Sequence, residues 1–224
     1  MANLGFWNVR VSNSPNKQRD IRWYLHNNNI GLVGLMETRV RTCSINKVHE
    51  GIGTKWSLIT DNSTCEGGRI WVVWDDGVFQ VDVVHCEAQE SLENIHELIQ
   101  EPWIVCGDFN NILGYDEIIG SVVTEGEIKG FLECTAHCEL ADIPTQGAFF
   151  TWSNKQEEHG RRFTRIDRVL VNMESLMAFP DTNTKFCLKG CLIITHVLRN
   201  YGGLIPREGI ALNTLICGEV MRSF

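Results

Sequence analysis

The run Ile30 to Met36, IGLVGLM, carries no polar side chain between Asn27-Asn28-Asn29 and Glu37. A strand with one wet face alternates apolar and polar residues, so an unbroken run of this kind suits a strand covered on both faces. A chain containing such a strand must also supply the layers that cover it. Trp103 to Cys106 reads the same way. Around these two runs, strands and helices alternate. Leu4 to Val9 is a short apolar strand, and Lys17 to Asn28 places Ile21, Tyr24 and Leu25 at helical spacing. Trp56 to Thr60, Arg69 to Trp74 and Val78 to His85 read as strands of an antiparallel meander, with turn chemistry at Glu66-Gly67-Gly68 and Asp75-Asp76-Gly77. Ser91 to Gln100 and Ile128 to Leu140 read as helices, Ala148 to Trp152 and Arg165 to Val171 as strands, and Met173 to Phe179 as a short helix. The six tryptophans Trp7, Trp23, Trp56, Trp71, Trp74 and Trp103 are assigned to core or sheet packing.

At 224 residues and 43% hydrophobic content, one large domain suffices, since the prior is roughly 150 residues per domain. No fixed-period repeat, low-complexity tract or Pro-rich linker marks a boundary. The start, MANLGFWNVR, lacks the basic-then-apolar order of a signal peptide, and the apolar stretch Cys191 to Leu198 is interrupted by His196 and too short to span a bilayer. The expectation is an intracellular protein, nuclear or cytoplasmic, that is neither secreted nor in the membrane. Nine cysteines then read as reduced core residues. The Cys134/Cys138 spacing beside His137 is too weak a signal for structural zinc.

The net charge of -8 argues at first against a nucleic-acid partner, because phosphate binding leaves a basic footprint. The charge is segregated, however. Residues 1–60 hold 8 Lys/Arg against 3 Asp/Glu, residues 61–142 hold 2 against 18, and residues 143–224 hold 10 against 7. Basic ends around an acidic middle suit a phosphate-facing side with a carboxylate cluster for a cation, while a solvated helix face over Glu87 to Glu101 accounts for much of the middle equally well.

Four strand ends share one polar kit: Asn8 in WNVR, Glu37 in LMETR, Asp108 with Asn110 in GDFNN, and Asp167 in RIDRVLVN. Taken singly, each has a local explanation, since Asp and Asn populate the turns that follow strands. In order and spacing these motifs, with FFTW, resemble the endonuclease/exonuclease/phosphatase family. The wording PWIVCGDFNN and RRFTRIDRVLVN is most similar to the endonuclease domain of plant LINE-type retroelements. The resemblance runs from about Asn3 to Gly190. It implies a four-layered α/β sandwich, two packed and mainly antiparallel sheets with outer helices, and a site at one rim.

Cleaving a phosphodiester requires charge neutralised on the phosphate, an oriented water and help for the leaving oxygen, and a hard cation on oxygen ligands serves the first and last. By the resemblance, Glu37 and Asn8 face Mg2+, or Mn2+ in its place. Asp108 polarises the attacking water, Asn110 and Asn8 donate to phosphate oxygens or hold the carboxylates, and Asp167 orients a histidine base. Asp167 also suits a simple ion pair with Arg165 or Arg168. Arg161, Arg162 and Arg165, with the aromatic Trp152, are expected to contact DNA, though alternating strand faces explain that stretch as readily. The domain is expected to be monomeric, with no obligate protein partner. A phosphomonoesterase or lipid phosphodiesterase of the same fold shares these residues, and so does a non-catalytic remnant that binds nucleic acid weakly.

The chain departs from that pattern twice. Between Val84 and Trp103 the family has a further strand bearing a tyrosine and an asparagine; here residues 86–91 run almost directly into the helix, so an internal strand is expected to be missing. Past Gly190, the family's Ser-Asp-His triplet is replaced by Cys191-Leu192-Ile193-Ile194-Thr195-His196-Val197. One nucleotide sequence encoding Leu-Ser-Asp-His-Tyr-Ser-Cys yields these seven residues when read one base later. The expectation is therefore a domain over 1–190, a frameshifted and non-homologous tail over 191–224, no ancestral role for His196, and a degenerate, weakly active or inactive site.

Overall fold

The computed structural model describes residues 2–61, 69–81, 92–99, 101–187, 191–195 and, as backbone, 213–217. Its largest sheet has seven strands, in the order β3 (Ser57–Thr60), β4 (Ile70–Trp74), β2 (Ile30–Met36), β1 (Asn3–Asn8), β13 (Cys191–Thr195), β12 (Asn183–Cys187) and β8 (Thr145–Gly147). Strand β2 is buried at all seven positions, as its unbroken apolar run requires. It runs parallel to β1 and antiparallel to β4. The second sheet orders β14 (Asn213–Cys217), β5 (Trp103–Asp108), β11 (Asp167–Val171) and β7 (Ala141–Asp142), and a small antiparallel sheet joins β6 (Ile118–Ile119), β10 (Phe163–Thr164) and β9 (Trp152–Ser153).

Three apolar clusters set the layers. Leu4, Phe6, Leu32 and Met36 of the first sheet meet Ile104, Cys106, Val169 and Val171 of the second, forming the middle of a sandwich. On the outer side of the first sheet, Trp7, Val33 and Trp71 pack against Ile21, Tyr24 and Leu25 of α1 (Pro15–Asn27) and Val48 and Ile52 of α2 (Ile45–Ile52). On the outer side of the second, Trp103, Val105 and Leu170 pack against Leu92 and Ile95 of α3 (Leu92–His96) and Phe131, Cys134 and Cys138 at α4 (Glu125–His137). The result is the helix–sheet–sheet–helix order of a four-layered α/β sandwich, with α5 (Met173–Ala178) following β11.

Helix starts follow local chemistry. Ser14 caps α1 by accepting from Lys17 N–H, with Pro15 at the first helical position, and Thr124 with Glu127 forms a capping box on α4. Several elements differ from their sequence reading. Helix α2 is an addition to the expected meander. Residues 78–81 are not a strand: Val78 and Phe79 N–H both donate to Asp75 C=O, turning the chain. The remainder of that expected strand and the expected gap at 86–91 lie outside the described residues. Strand pairing over the FFTW stretch begins only at Trp152, because Phe149 and Phe150 occupy the loop before it. Five of the six named tryptophans are buried, but Trp23 is 63% exposed, since the inward stripe of α1 passes through Ile21, Tyr24 and Leu25 and leaves Trp23 on the far side.

The boundary expected at Gly190 falls between two strands that pair with each other, β12 and β13. Strand β13 also pairs antiparallel with β1, and Leu192, Ile193 and Ile194 are buried in the clusters around it. Tyr24 ties α1 to this strand by donating its hydroxyl to Leu192 C=O at 2.7 Å. Gly5 makes room for that hydroxyl, since a Cβ there would stand 3.0 Å from it. Strand β14 runs parallel to β5 and covers the edge of the second sheet. Tyr24→Phe leaves the buried Leu192 carbonyl short of a donor and is expected to cost about 1 to 3 kcal/mol of unfolding free energy in urea titrations.

Candidate active site

Strands β1, β2, β5 and β11 deliver four polar side chains to one rim of the sandwich. Asn8 is the last residue of β1, and its Nδ2 lies 3.4 Å both from Glu37 Oε1, just past β2, and from Asp108 Oδ2 at the end of β5. One amide thus bridges two carboxylates that come from different sheets. The backbone at Glu37 is left-handed, with φ of 50°, an uncommon conformation for this residue type that marks the site as a place of local strain. The chain there is held by Val11 N–H to Glu37 C=O at 2.8 Å and Ser12 N–H to Thr38 C=O at 3.0 Å, which zip the β1 and β2 loops together.

The GDFNN loop divides its residues between core and rim. Phe109 is buried against Phe131 of α4, with ring centroids 5.2 Å apart, while Asp108 and Asn110 stay outside that core. Asn110 is left-handed, and its backbone N–H donates to Asp108 Oδ1 at 3.1 Å, so the loop orients its own carboxylate. Burial raises the Asp108 carboxyl above its ordinary range, and the Glu37 charge adds to this. The Asn110 N–H, the Asn8 amide and the Arg10 guanidinium act in the opposite direction.

Asp167 stands directly opposite Asp108 in the antiparallel β5–β11 register. Facing residues in such a pair put their side chains on the same side of the sheet. Burial first, and the Asp108 charge second, push the Asp167 carboxyl up to about 7. Thr151 holds the entry of β11 by accepting N–H bonds from Ile166 at 3.1 Å and Asp167 at 3.0 Å. A cleft of about 440 Å³ opens beside this point, with Asp167, Thr151, Arg165, Phe149, Phe186 and Asp142 in its wall.

The donor set suits a hard cation. It consists of carboxylate and amide oxygens, and Asn8 Oδ1 is buried with no hydrogen-bond partner among the described residues. Crowding of Glu37, Asp108 and Asp167 would also be relieved by positive charge. Among the described residues, no three His, Cys, Asp or Glu side chains are gathered closely enough to hold an ion unaided. A small cation such as Mg2+ ordinarily keeps several waters and takes only one or two carboxylates, so this geometry is compatible with it.

The expected DNA-facing residues are placed differently from one another. Arg161 and Arg162 are exposed in the segment leading into β10, where Arg161 Nε donates to Gln156 C=O, and Trp152 is half-buried in β9. Arg165 does not present a free cation: its side chain is 14% exposed and pairs with Glu117 Oε1 at 3.2 Å and Asp142 Oδ2 at 2.8 Å. Asp167 takes neither Arg165 nor Arg168 as a partner, because both arginines are committed to Glu117 and Asp142. No histidine among the described residues hydrogen-bonds to Asp167. His196 lies outside them. Cys134 and Cys138 are buried in the outer cluster beneath α4. Sequence reading overlooked Thr151, Glu117 and Asp142, whose signals are single polar residues without spacing.

No family model and no curated protein matches the chain by sequence. Solved structures do match in three dimensions. The 3' phosphatase NExo from Neisseria, bound to a product DNA hairpin, superposes with a TM-score of 0.60 at 13% identity, over 88% of this chain and 99% of that one. The fold is DNase I-like. The AP endonuclease LMAP from Leishmania major gives a TM-score of 0.59 at 10% identity, over 86% of each chain. The endonuclease domain of TRAS1, a telomere-specific non-LTR retrotransposon, gives 0.57 at 9% identity, over 87% of this chain and 97% of that one.

The raised Asp167 carboxyl has a consequence for stability. In the unfolded chain an Asp titrates near about 4, so the folded state holds the proton more tightly, and this contribution is complete below about pH 4 and lost as pH rises through about 7. Asp167→Asn is expected to flatten the fall in stability between these limits, and to make the variant the more stable of the two at pH 8 by on the order of a few kcal/mol. Urea unfolding across pH 4 to 8 in EDTA measures it.

Proposed function

We propose that this chain carries a Mg2+-dependent phosphodiester hydrolase site that acts on DNA, related to the endonuclease domains of LINE-type retroelements and reduced in activity. The observation that carries the reading is the Asn8 amide bridging Glu37 and Asp108, with Asp167 abreast of Asp108 at the same rim. Two structural neighbours support the reading: one is a 3' phosphatase bound to a product DNA hairpin, and another is the endonuclease domain of a retrotransposon.

Glu37 and Asn8 would hold the cation. When bound, Mg2+ or Mn2+ supplies neutralising charge to the phosphate and to the leaving oxygen. Asp108, oriented by the Asn110 N–H, accepts a hydrogen bond from the attacking water and aligns it for in-line displacement. The Asn110 side chain lies outside the core, where it can donate to a phosphate oxygen. Exposed Arg161 and Arg162, with Trp152 beside them, form the flank along which a nucleic-acid backbone would lie. The lower activity follows from Asp167, which in this class would steady a histidine and here has none bonded to it among the described residues. Loss of a positioned acid/base group costs on the order of 10²- to 10⁴-fold in rate. The frameshift reading of residues 191–224 belongs to this proposal. The gene is expected to encode Leu-Ser-Asp-His in the adjacent frame just past the Gly190 codon.

Purified protein is expected to nick supercoiled plasmid slowly in Mg2+ and not at all in EDTA. Asp108→Asn should remove about 10²-fold or more of whatever rate remains. Brisk cleavage by the unaltered chain would contradict the reduced site, and cleavage untouched by Asp108→Asn would contradict the assignment altogether.

A further inference from the structure

Directly behind the rim lies a buried ionic cluster that the proposed chemistry does not use. Arg168 has no exposed surface, and its guanidinium sits 5.6 Å from the Phe131 ring centroid. Its two terminal nitrogens pair with Glu117 as a fork, Nη1 to Oε1 at 3.0 Å and Nη2 to Oε2 at 2.8 Å. Nη1 also donates to Asp142 Oδ2 at 3.1 Å, and Nη2 to the carbonyls of Asn111 at 3.2 Å and Arg165 at 2.9 Å. Glu117 in turn accepts the Leu113 N–H at 2.6 Å, and its own carbonyl accepts the Arg165 N–H at 2.9 Å. Burial works to raise the Glu117 carboxyl, but the bonds and charge of Arg168, helped by Leu113 and Arg165, hold it below the ordinary range.

Apart from the bond to Asp142 in β7, these bonds end on one of two segments: the loop that follows Asp108, through Asn111, Leu113 and Glu117, or the entry to β11, through Arg165. Asp108 and Asp167 open or close those same segments. Stability alone does not call for such a cluster, because apolar side chains of similar volume replace buried ion pairs with little loss and often with gain. The cluster does provide direction. A guanidinium offers donors in a fixed planar fork, so it sets the angle between the segments it joins, which a lysine ammonium cannot do.

We propose that Glu117 and Arg168 are positioning residues, a clamp that fixes the Asp108 loop against the Asp167 strand and so sets the geometry of the cation site formed by Asn8, Glu37 and Asp108. This rests on the reading of that rim as a cation-dependent site. The clamp touches neither substrate nor metal and acts through the backbone of Asn111, Leu113 and Arg165.

The test uses Mn2+ as probe on the full chain, with its affinity followed by electron paramagnetic resonance and the melting temperature recorded without metal. The Glu117→Met/Arg168→Leu double variant removes both charges together and leaves Arg165 paired with Asp142, so it should fold, melting lower only by what the Leu113 N–H and the Asn111 and Arg165 carbonyls lose, while binding Mn2+ about 10- to 100-fold more weakly, the usual cost of losing a residue that orients a ligand. Arg168→Lys and Glu117→Gln, which keep the volume, should fold and fall between the two. A folded double variant, or either single variant, with native Mn2+ affinity overturns the clamp and leaves a purely structural cluster. Native Mn2+ binding that is indifferent to Glu37→Gln and to Asp108→Asn overturns the site itself, and the clamp with it.

Discussion

Asp108 and Asp167 face each other across an antiparallel strand pair, an arrangement that a sheet ordinarily disfavours because like charges meet at close range. Much of the structure around the rim answers to that contact. The Asn8 amide reaches toward the Asp108 carboxylate, the Asn110 N–H binds one of its oxygens, the charge of Arg10 eases both acids, and Thr151 pins the backbone at Asp167. Even so, Asp167 is driven toward neutrality. A site that concentrates negative charge in this way is stabilised by a cation, and the Asn8 oxygen, without a hydrogen-bond partner among the described residues, lies among the same groups.

The two-sheet sandwich makes this contact possible. Asn8 and Glu37 belong to the first sheet, Asp108 and Asp167 to the second, and the apolar middle layer brings the strand ends of both sheets to one edge. Behind the second sheet, Phe109 locks the GDFNN loop onto α4 while Arg168 ties that loop to β11. Apolar packing therefore sets the depth of the loop, and the charged fork sets its direction. The same arrangement explains why Arg165, which looks like a phosphate contact in a basic stretch, is instead one of four charged side chains in a network with Arg168, Glu117 and Asp142.

The DNase I-like neighbours share the fold at 9 to 13% identity, far below the level at which side-chain roles carry over. What bears on function here is thus the arrangement within this chain: three carboxylates and two asparagines at the ends of four strands. The weak point is equally local. Asp167 has no histidine bonded to it among the described residues, and β13, which stands where the sequence resemblance led one to expect a Ser-Asp-His triplet, carries Leu192, Ile193 and Ile194 into the core.

Periodicity and turn chemistry, which are local properties, made much of this protein legible before any coordinates. The run IGLVGLM specified a strand buried on both faces, the polar residues at Asn8, Glu37, Asp108 and Asp167 marked strand ends, and Ile21, Tyr24 and Leu25 defined the inward face of α1. The short helix α2 escaped notice because two buried positions, Val48 and Ile52, leave little period to read. Other features exist only in three dimensions. That Asp108 meets Asp167 depends on strand register, that Arg168 is buried depends on which face of β11 lies under α4, and that Cys191–Thr195 joins the sheet depends on β1 presenting an open edge to pair with. These are relations between residues far apart along the chain, decided by how the layers pack, and no local pattern encodes them.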